Sequence, residues 1–398
     1  MLKVITLEEF IKLIENIKEL QELQEEIIDI DRIYNRVLSK DIISPCDLPG
    51  FNRSSVDGYA VKANDTYLCS DSMPSVLKLL GEVKIGEIPP FVISEGEAVY
   101  IPTGGMLPSG ADAVVMIEDS EDAFNEVLIN KPVAKGENLV MSDEDVVKNE
   151  VLLKKGTTIK PHHIGVLAGI GVTEVCVKEK IKIGIVSTGD ELVSPYSSCP
   201  VPKVRDINGF YLKSAVEEDG CEGRYYGIVS DNKEKLNEVV KVALNENNIV
   251  LISGGSSAGN KDFTIDIMER HGKVLFHGLA IKPGKPTLMS ECNGKYIIGL
   301  PGHPLSCAVV YKFIVKKILD KMYGRITDDI NTEGTMGVNY HKARGREEYL
   351  PVKIEEGVIY PLYAKSSAIS VLSKADGFIK LPRDCEGIEK GEKIIVMR

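Results

Sequence analysis

The stretch ISGGSSAGNKDF, Ile252 to Phe263, follows an apolar run (NIVLI) and precedes the helix-compatible TIDIMERH. Glycine permits backbone approaches that a β-carbon forbids. A loop between strand and helix aims N–H groups at an anion. Ser253, Gly254, Gly255, Ser256, Ser257 and Gly259 therefore form a candidate anion cradle, with Asp262 at its close. The G-K-[ST] ending of a P-loop is missing. Three more clusters follow apolar runs. STGDEL brings Ser187, Thr188, Gly189, Asp190 and Glu191; SDN brings Asp231; GLPGHP brings Pro301, Gly302 and His303. AIKPGKP sets Lys282 and Lys285 around Pro283 and Gly284. Pooled at one sheet edge, these supply N–H donors, two cations and several carboxylates. That inventory suits a phosphorylated ligand with a hard, oxygen-seeking cation.

Plainer readings stand beside each cluster. An SGG turn serves as a tight turn in many chains. Asp190 and Asp262 suit helix N-caps. The two lysines suit a solvated turn, His303 a loop hydrogen bond, and His162 and His163 a helix start after Pro161. Asp57 in SSVDGYAV suits a plain D-G turn, and Thr103 in IPTGG a hairpin loop. It is the coincidence of four polar strand ends with a lysine pair that favours a site.

The elements that must position these residues read as follows. The 398-residue chain is too long for one ordinary core, so several domains are expected. Leu7, Phe10, Ile11, Ile14 and Ile17 recur at helical spacing, with Thr6 and Glu9 as a capping box. EEIIDIDRIYNRVL predicts a second helix. From about Cys46 to Met141, β-branched runs alternate with Gly/Pro turns, predicting a β-rich domain inserted between two halves of another. Residues 181–326 alternate strand and helix, which predicts a parallel α/β sheet with ligands at the strands' carboxyl ends. The tail from about 327 predicts a small β-barrel or sandwich.

A net charge of −11 argues against broad nucleic-acid binding, so an anion needs a local site. Eight scattered cysteines without CxxC disfavour zinc and predict reduced thiols. No signal peptide and no apolar run of spanning length are apparent, which predicts a cytoplasmic protein without membrane partners.

The motifs S-x-D-G-Y-A, P-T-G-G-x-x-P-x-G-A-D-A-V-V, S-T-G-D-E-L, S-G-G-x-S-x-G-x-x-D, K-P-G-K-P and G-L-P-G-x-P occur in one order. Together they resemble the MoeA family of molybdopterin molybdenumtransferases, which includes the gephyrin E domain. The resemblance implies an α/β multi-domain chain forming a homodimer. A discontinuous domain would span 1–45 and 142–176, a β-rich insert 46–141, a molybdopterin-binding α/β domain 177–326, and a C-terminal β-barrel 327–398. The family's cleft lies where the α/β and C-terminal domains of one subunit face the β-rich domain of the other.

The implied reaction cleaves adenylylated molybdopterin with a divalent cation such as Mg²⁺, releases AMP and inserts molybdate into the dithiolene. Glu191 and Asp262 match metal-holding positions. Asp57, Asp145, Asp190 and Asp231 match acidic positions for substrate orientation or proton handling, Thr103 an oxyanion or phosphate contact, and Lys282 and Lys285 phosphate contacts. A molybdopterin adenylyltransferase and molybdoenzyme acceptors are implied partners. The chain departs from the family pattern in places: His303 stands for an asparagine, DIN (206–208) for D-S-N, and Asp145 lacks the usual preceding arginine and glycine. A tungstate-inserting homologue, a peptide-binding scaffold and an adenylyltransferase remain alternatives. The first, second and fourth domains argue against the last.

Overall fold

The computed structural model describes residues 4–17, 23–254, 263–327 and 331–398. The N-terminal helix forms as expected, over Leu7–Asn16. Thr6 Oγ1 accepts the Glu9 N–H, and the Glu9 carboxylate accepts the Thr6 N–H. Phe10 packs edge-on against Phe276, so this helix joins the α/β core.

The second expected helix is corrected. Its segment holds a strand, Glu25–Asp29, and a 3-10 turn, Ile30–Arg32. The strand pairs antiparallel with Glu174–Lys178. Its exposure alternates residue by residue, a period of two that β-branched isoleucines favour. Buried Arg36 and Lys178 meet Glu26 and Glu25 across this small sheet. The helix Pro161–Gly169 begins where PHH predicts, with the Lys160 N–H donating to His163 Nδ1.

The β-rich unit is a six-stranded sheet in the order 113–116, 58–61, 97–101, 75–82, 126–129, 120–123. The strand Gly58–Val61 runs so close to its neighbour that a Cβ on Gly58 would lie 1.9 Å from the Val115 carbonyl oxygen. The D-G of SSVDGYAV is thus a close-packing requirement as well as a turn.

The α/β unit is also six-stranded. Strands Glu222–Val229, Lys182–Thr188, Ile249–Ser253 and Lys295–Leu300 lie parallel in that order. Two antiparallel strands, Leu288–Cys292 and Lys273–His277, complete the edge, so the sheet is parallel-rich and mixed. The hairpin between Leu288–Cys292 and Lys295–Leu300 turns on Asn293 and Gly294, both at positive φ, a geometry Asn-Gly favours. Alternating strand residues bury on opposite faces. Ile183, Ile185, Ile249 and Leu251 join one core cluster; Val186, Val250 and Ile252 join the other.

In the tail, strands 347–355, 358–361, 331–336, 393–397 and 377–381 pair in turn, and 377–381 pairs back onto 347–355. The result is a closed five-stranded barrel, which removes unpaired sheet edges. The two-residue strand Ile281–Lys282 of the α/β unit adds in parallel to 347–355. Backbone hydrogen bonding therefore joins the barrel to the lysine-bearing turn. No described helix is long and apolar enough to cross a membrane.

Candidate active site

A cleft of about 1890 Å³ opens between the carboxyl ends of the parallel strands and the barrel. Its walls bring together most of the residues singled out in the sequence. Thr188, Gly189, Asp190 and Glu191 come from the loop after Lys182–Thr188, and Asp231 from the loop after Glu222–Val229. Ser253 ends the strand Ile249–Ser253, and Gly254 follows it. Lys282, Pro283, Gly284 and Lys285 form one turn, and Pro301, Gly302 and His303 another. Gly255, Ser256, Ser257, Gly259 and Asp262 lie outside the described residues.

The strand-end loops are knitted by side chain to backbone. Thr188 Oγ1 donates to Asp231 Oδ1 at 3.1 Å, and the Asp231 N–H donates to Asp190 Oδ1 at 3.1 Å. Asp190 precedes a short strand, Leu192–Val193, and caps no helix. Asp206 instead serves the following helix: its Oδ1 accepts the Gly209 N–H. Its Oδ2 accepts the hydroxyls of Ser187 and Tyr225. Ser187 is thus buried behind the cleft, a support and not a wall. Burial first, then the Asp206 hydrogen bond, pushes the Tyr225 phenol up, so Tyr225 stays a donor.

Asn208 ties the two Gly-bearing loops. Its Nδ2 donates to Ser253 Oγ at 2.7 Å and to the Gly302 carbonyl at 2.8 Å. Gly254 has φ +105°, and a Cβ there would lie 2.1 Å from the Thr188 carbonyl oxygen. The start of the loop therefore requires glycine for both dihedral and space.

Across the cleft, Lys282 Nζ lies 2.8 Å from Glu348 Oε1, and the Tyr340 hydroxyl donates to the same oxygen. His303 Nδ1 lies 2.8 Å from Ser366 Oγ, while the Leu305 N–H donates to the Ser366 carbonyl. The barrel also supplies Arg346 and Lys365 to the wall, and the short strand Val204–Arg205 supplies Arg205. Sequence reasoning missed these cations and Glu348, because none falls in a glycine-marked strand-end motif. The lysine turn and barrel thus present cations; the loops after Lys182–Thr188 and Glu222–Val229 present carboxylates. A protein of net charge −11 here gathers several cations around one cleft.

Three expected site residues lie elsewhere. Asp57, Thr103 and Asp145 do not line the cleft. Asp57 Oδ1 accepts the Thr103 N–H at 2.8 Å on the β-rich unit. Asp145 is exposed in the loop after Leu139–Val140, the strand that pairs with Arg53–Ser54 ahead of Asp57. Asp190, Glu191 and Asp231 offer oxygen ligands only, the chemistry of a hard cation. Among the described residues, however, no three metal-binding side chains converge.

Three family models match the chain in order: the MoeA N-terminal region (domain I and II) over 5–171, a probable molybdopterin binding domain over 184–321, and the MoeA C-terminal region (domain IV) over 333–398. A molybdopterin biosynthesis protein of Methanocaldococcus jannaschii is 35% identical, covering 97% of this chain and 95% of that one. The molybdopterin molybdenumtransferase of Staphylococcus epidermidis is 30% identical over 93% of this chain and 90% of its own. The crystal structure of the molybdopterin biosynthesis MoeA protein from Pyrococcus horikoshii OT3 superposes with a TM-score of 0.85. It is 30% identical, covering 99% of this chain and all (100%) of that one.

Proposed function

Because this chain belongs to the MoeA family, we infer that it is a molybdopterin molybdenumtransferase, an enzyme of molybdenum-cofactor biosynthesis. The observation that carries this reading is the two-sided cleft. Lys282, Lys285, Arg346 and Lys365 line it from the lysine turn and the barrel, where Glu348 lies too; Asp190, Glu191 and Asp231 line it from the strand-end loops.

Each half suits one part of the reaction. Molybdate is a tetrahedral dianion that carboxylates alone would repel, so it requires donors. The cationic wall supplies them. The substrate in this reading is adenylylated molybdopterin, whose pterin phosphate and pyrophosphate suit an anion cradle in the glycine-serine loop that follows Ser253. Its cleavage releases AMP as molybdate passes to the dithiolene. Glu191, with Asp262, would hold Mg²⁺, which when bound neutralises charge on the phosphoanhydride. Asp190 and Asp231, fixed by the Thr188 hydroxyl and by one another, orient substrate or handle protons.

Asp57, Thr103 and Asp145 enter this proposal through a homodimer in which the β-rich unit of one subunit closes the cleft of the other. The division at residues 45, 141, 176 and 326 belongs to the same reading. An adenylyltransferase would supply the substrate, and molybdoenzymes would take the product.

AMP release from adenylylated molybdopterin, with and without Mg²⁺ and with molybdate or tungstate, tests the proposal. Release requiring the cation and an oxyanion, with active cofactor formed, supports it and identifies the metal. A folded protein that releases no AMP with either oxyanion is a scaffold and not a transferase.

A further inference from the structure

Lys282 is exposed over about half of its side chain (51%), yet its ammonium rests on a carboxylate that is only 5% exposed. Both residues line the cleft. Glu348 Oε1 receives Lys282 Nζ and the Tyr340 hydroxyl, each at 2.8 Å. Glu348 Oε2 is buried and takes no hydrogen bond among the described residues. Burial and the bond to Glu348 raise the Tyr340 phenol, which keeps it a donor.

The backbone brings the pair together. Ile281 aligns with Glu347, and Lys282 with Glu348, in a parallel two-residue ladder. The Glu347 N–H donates to the Ala280 carbonyl at 2.9 Å. Neither partner is free to drift along its strand.

An ionised carboxylate withdrawn from water is strongly disfavoured without a cation and donors. Among the described residues, Lys282 is the cation that pairs with Glu348. Its flexible four-carbon stem would otherwise let the ammonium wander. If Lys282 followed an incoming oxyanion, Glu348 would be stranded. The ammonium instead stays docked with one N–H on Glu348, and its two other N–H groups remain for a ligand.

We propose that Glu348 is a positioning residue for the transfer reaction: it anchors the Lys282 ammonium at the oxyanion end of the cleft. The inference rests on the transferase reading. It has an unusual sign. Glu348 adds negative charge to an anion site, so it weakens ground-state binding of molybdate. It also fixes a donor where charge develops, so it raises turnover. Binding and turnover should therefore separate when it is changed.

The test uses the 398-residue protein and four variants: Glu348→Gln, Glu348→Asp, Lys282→Ala and the double variant Glu348→Gln with Lys282→Ala. Molybdate binding is measured by calorimetry, AMP release at saturating molybdate, and folding by urea unfolding. Glu348→Gln is expected to bind molybdate as tightly as wild type or several-fold tighter, with turnover about tenfold lower. Added to Lys282→Ala, it should lower turnover no further. Glu348→Asp keeps the charge but draws the anchor back by one methylene; it too should lose turnover while retaining molybdate, which keeps the test open if the glutamine variant unfolds. Variants with wild-type turnover overturn the inference, as does loss of binding, turnover and urea resistance together, the mark of a merely structural contact. A wild-type protein that releases no AMP removes the transferase reading itself, and this inference with it.

Discussion

Asp57 and Thr103, 46 residues apart, are joined by one hydrogen bond: the Asp57 carboxylate accepts the Thr103 backbone N–H at 2.8 Å. The bond holds two loops of the β-rich unit together. It leaves the other carboxylate oxygen and the threonine side chain on an exposed face. Asp57→Asn keeps an acceptor but removes the charge. Its stability should stay within about 0.5 kcal/mol of wild type, as for most exposed changes. Its AMP release should fall by about tenfold or more if the charge acts on substrate. Urea unfolding alongside an AMP assay reads both. Undiminished release would reduce Asp57 to a loop clamp.

Asn208→Ala removes both ties from the helix start to the Gly-bearing loops, those to Ser253 and Gly302. Buried partners left unpaired cost about 1–3 kcal/mol. The expected signature is a lower urea midpoint with a raised KM for the pterin substrate, since the anion-binding backbone loses its support. A changed kcat with unchanged KM would place Asn208 in the chemistry instead.

Gly254→Ala introduces a Cβ where φ is +105° and the Thr188 carbonyl oxygen stands 2.1 Å away. Strain of this kind costs of order 1–3 kcal/mol, and the overlap adds to it. The loop start and the strand end at Thr188 cannot both keep their places. Reduced stability and reduced AMP release are expected together. A variant as stable as wild type would mean that the loop start relaxes freely.

Cys221 and Cys307 are buried, and burial pushes both thiols up from 9.0 to about 12. Each folded thiol keeps a proton that the unfolded chain releases sooner. Their contribution to stability is therefore complete below about pH 9 and lost as pH rises toward 12. Native alkylation at pH 8, followed by peptide mass analysis, should modify partly exposed Cys46, Cys199 and Cys385 well before Cys221 or Cys307. Early modification of Cys307 would report opening of the core behind the cleft.

Much of the α/β unit was legible because buried parallel strands are apolar runs that end in polar loops. IKIGIVS, NIVLISG and KYIIGLP are such runs, and each delivers its polar residues to one edge. The segment Glu25–Asp29 was misread because its isoleucines fit a helical face as well as a strand face. Its pairing with Glu174–Lys178 decided the matter, and that partner lies far along the chain. The Asn293-Gly294 hairpin carried a local signal that was overlooked. Arg346, Lys365 and Glu348 carried none. They reach the cleft because a barrel closes and docks, and local residue pattern does not encode docking.

The ladder between Ile281–Lys282 and Glu347–Glu348 also constrains motion. The α/β unit and the barrel share backbone hydrogen bonds at the lysine turn, so they cannot part there without breaking them. The Leu305 N–H bond to the Ser366 carbonyl is a second backbone tie between them, so breathing of the cleft is expected to be smallest at these two contacts. Amides along the seam should then exchange with deuterium more slowly than those of the rim, and both units should share one unfolding event. The ladder thus acts as a staple, and the wall that carries Lys282 is expected to move least.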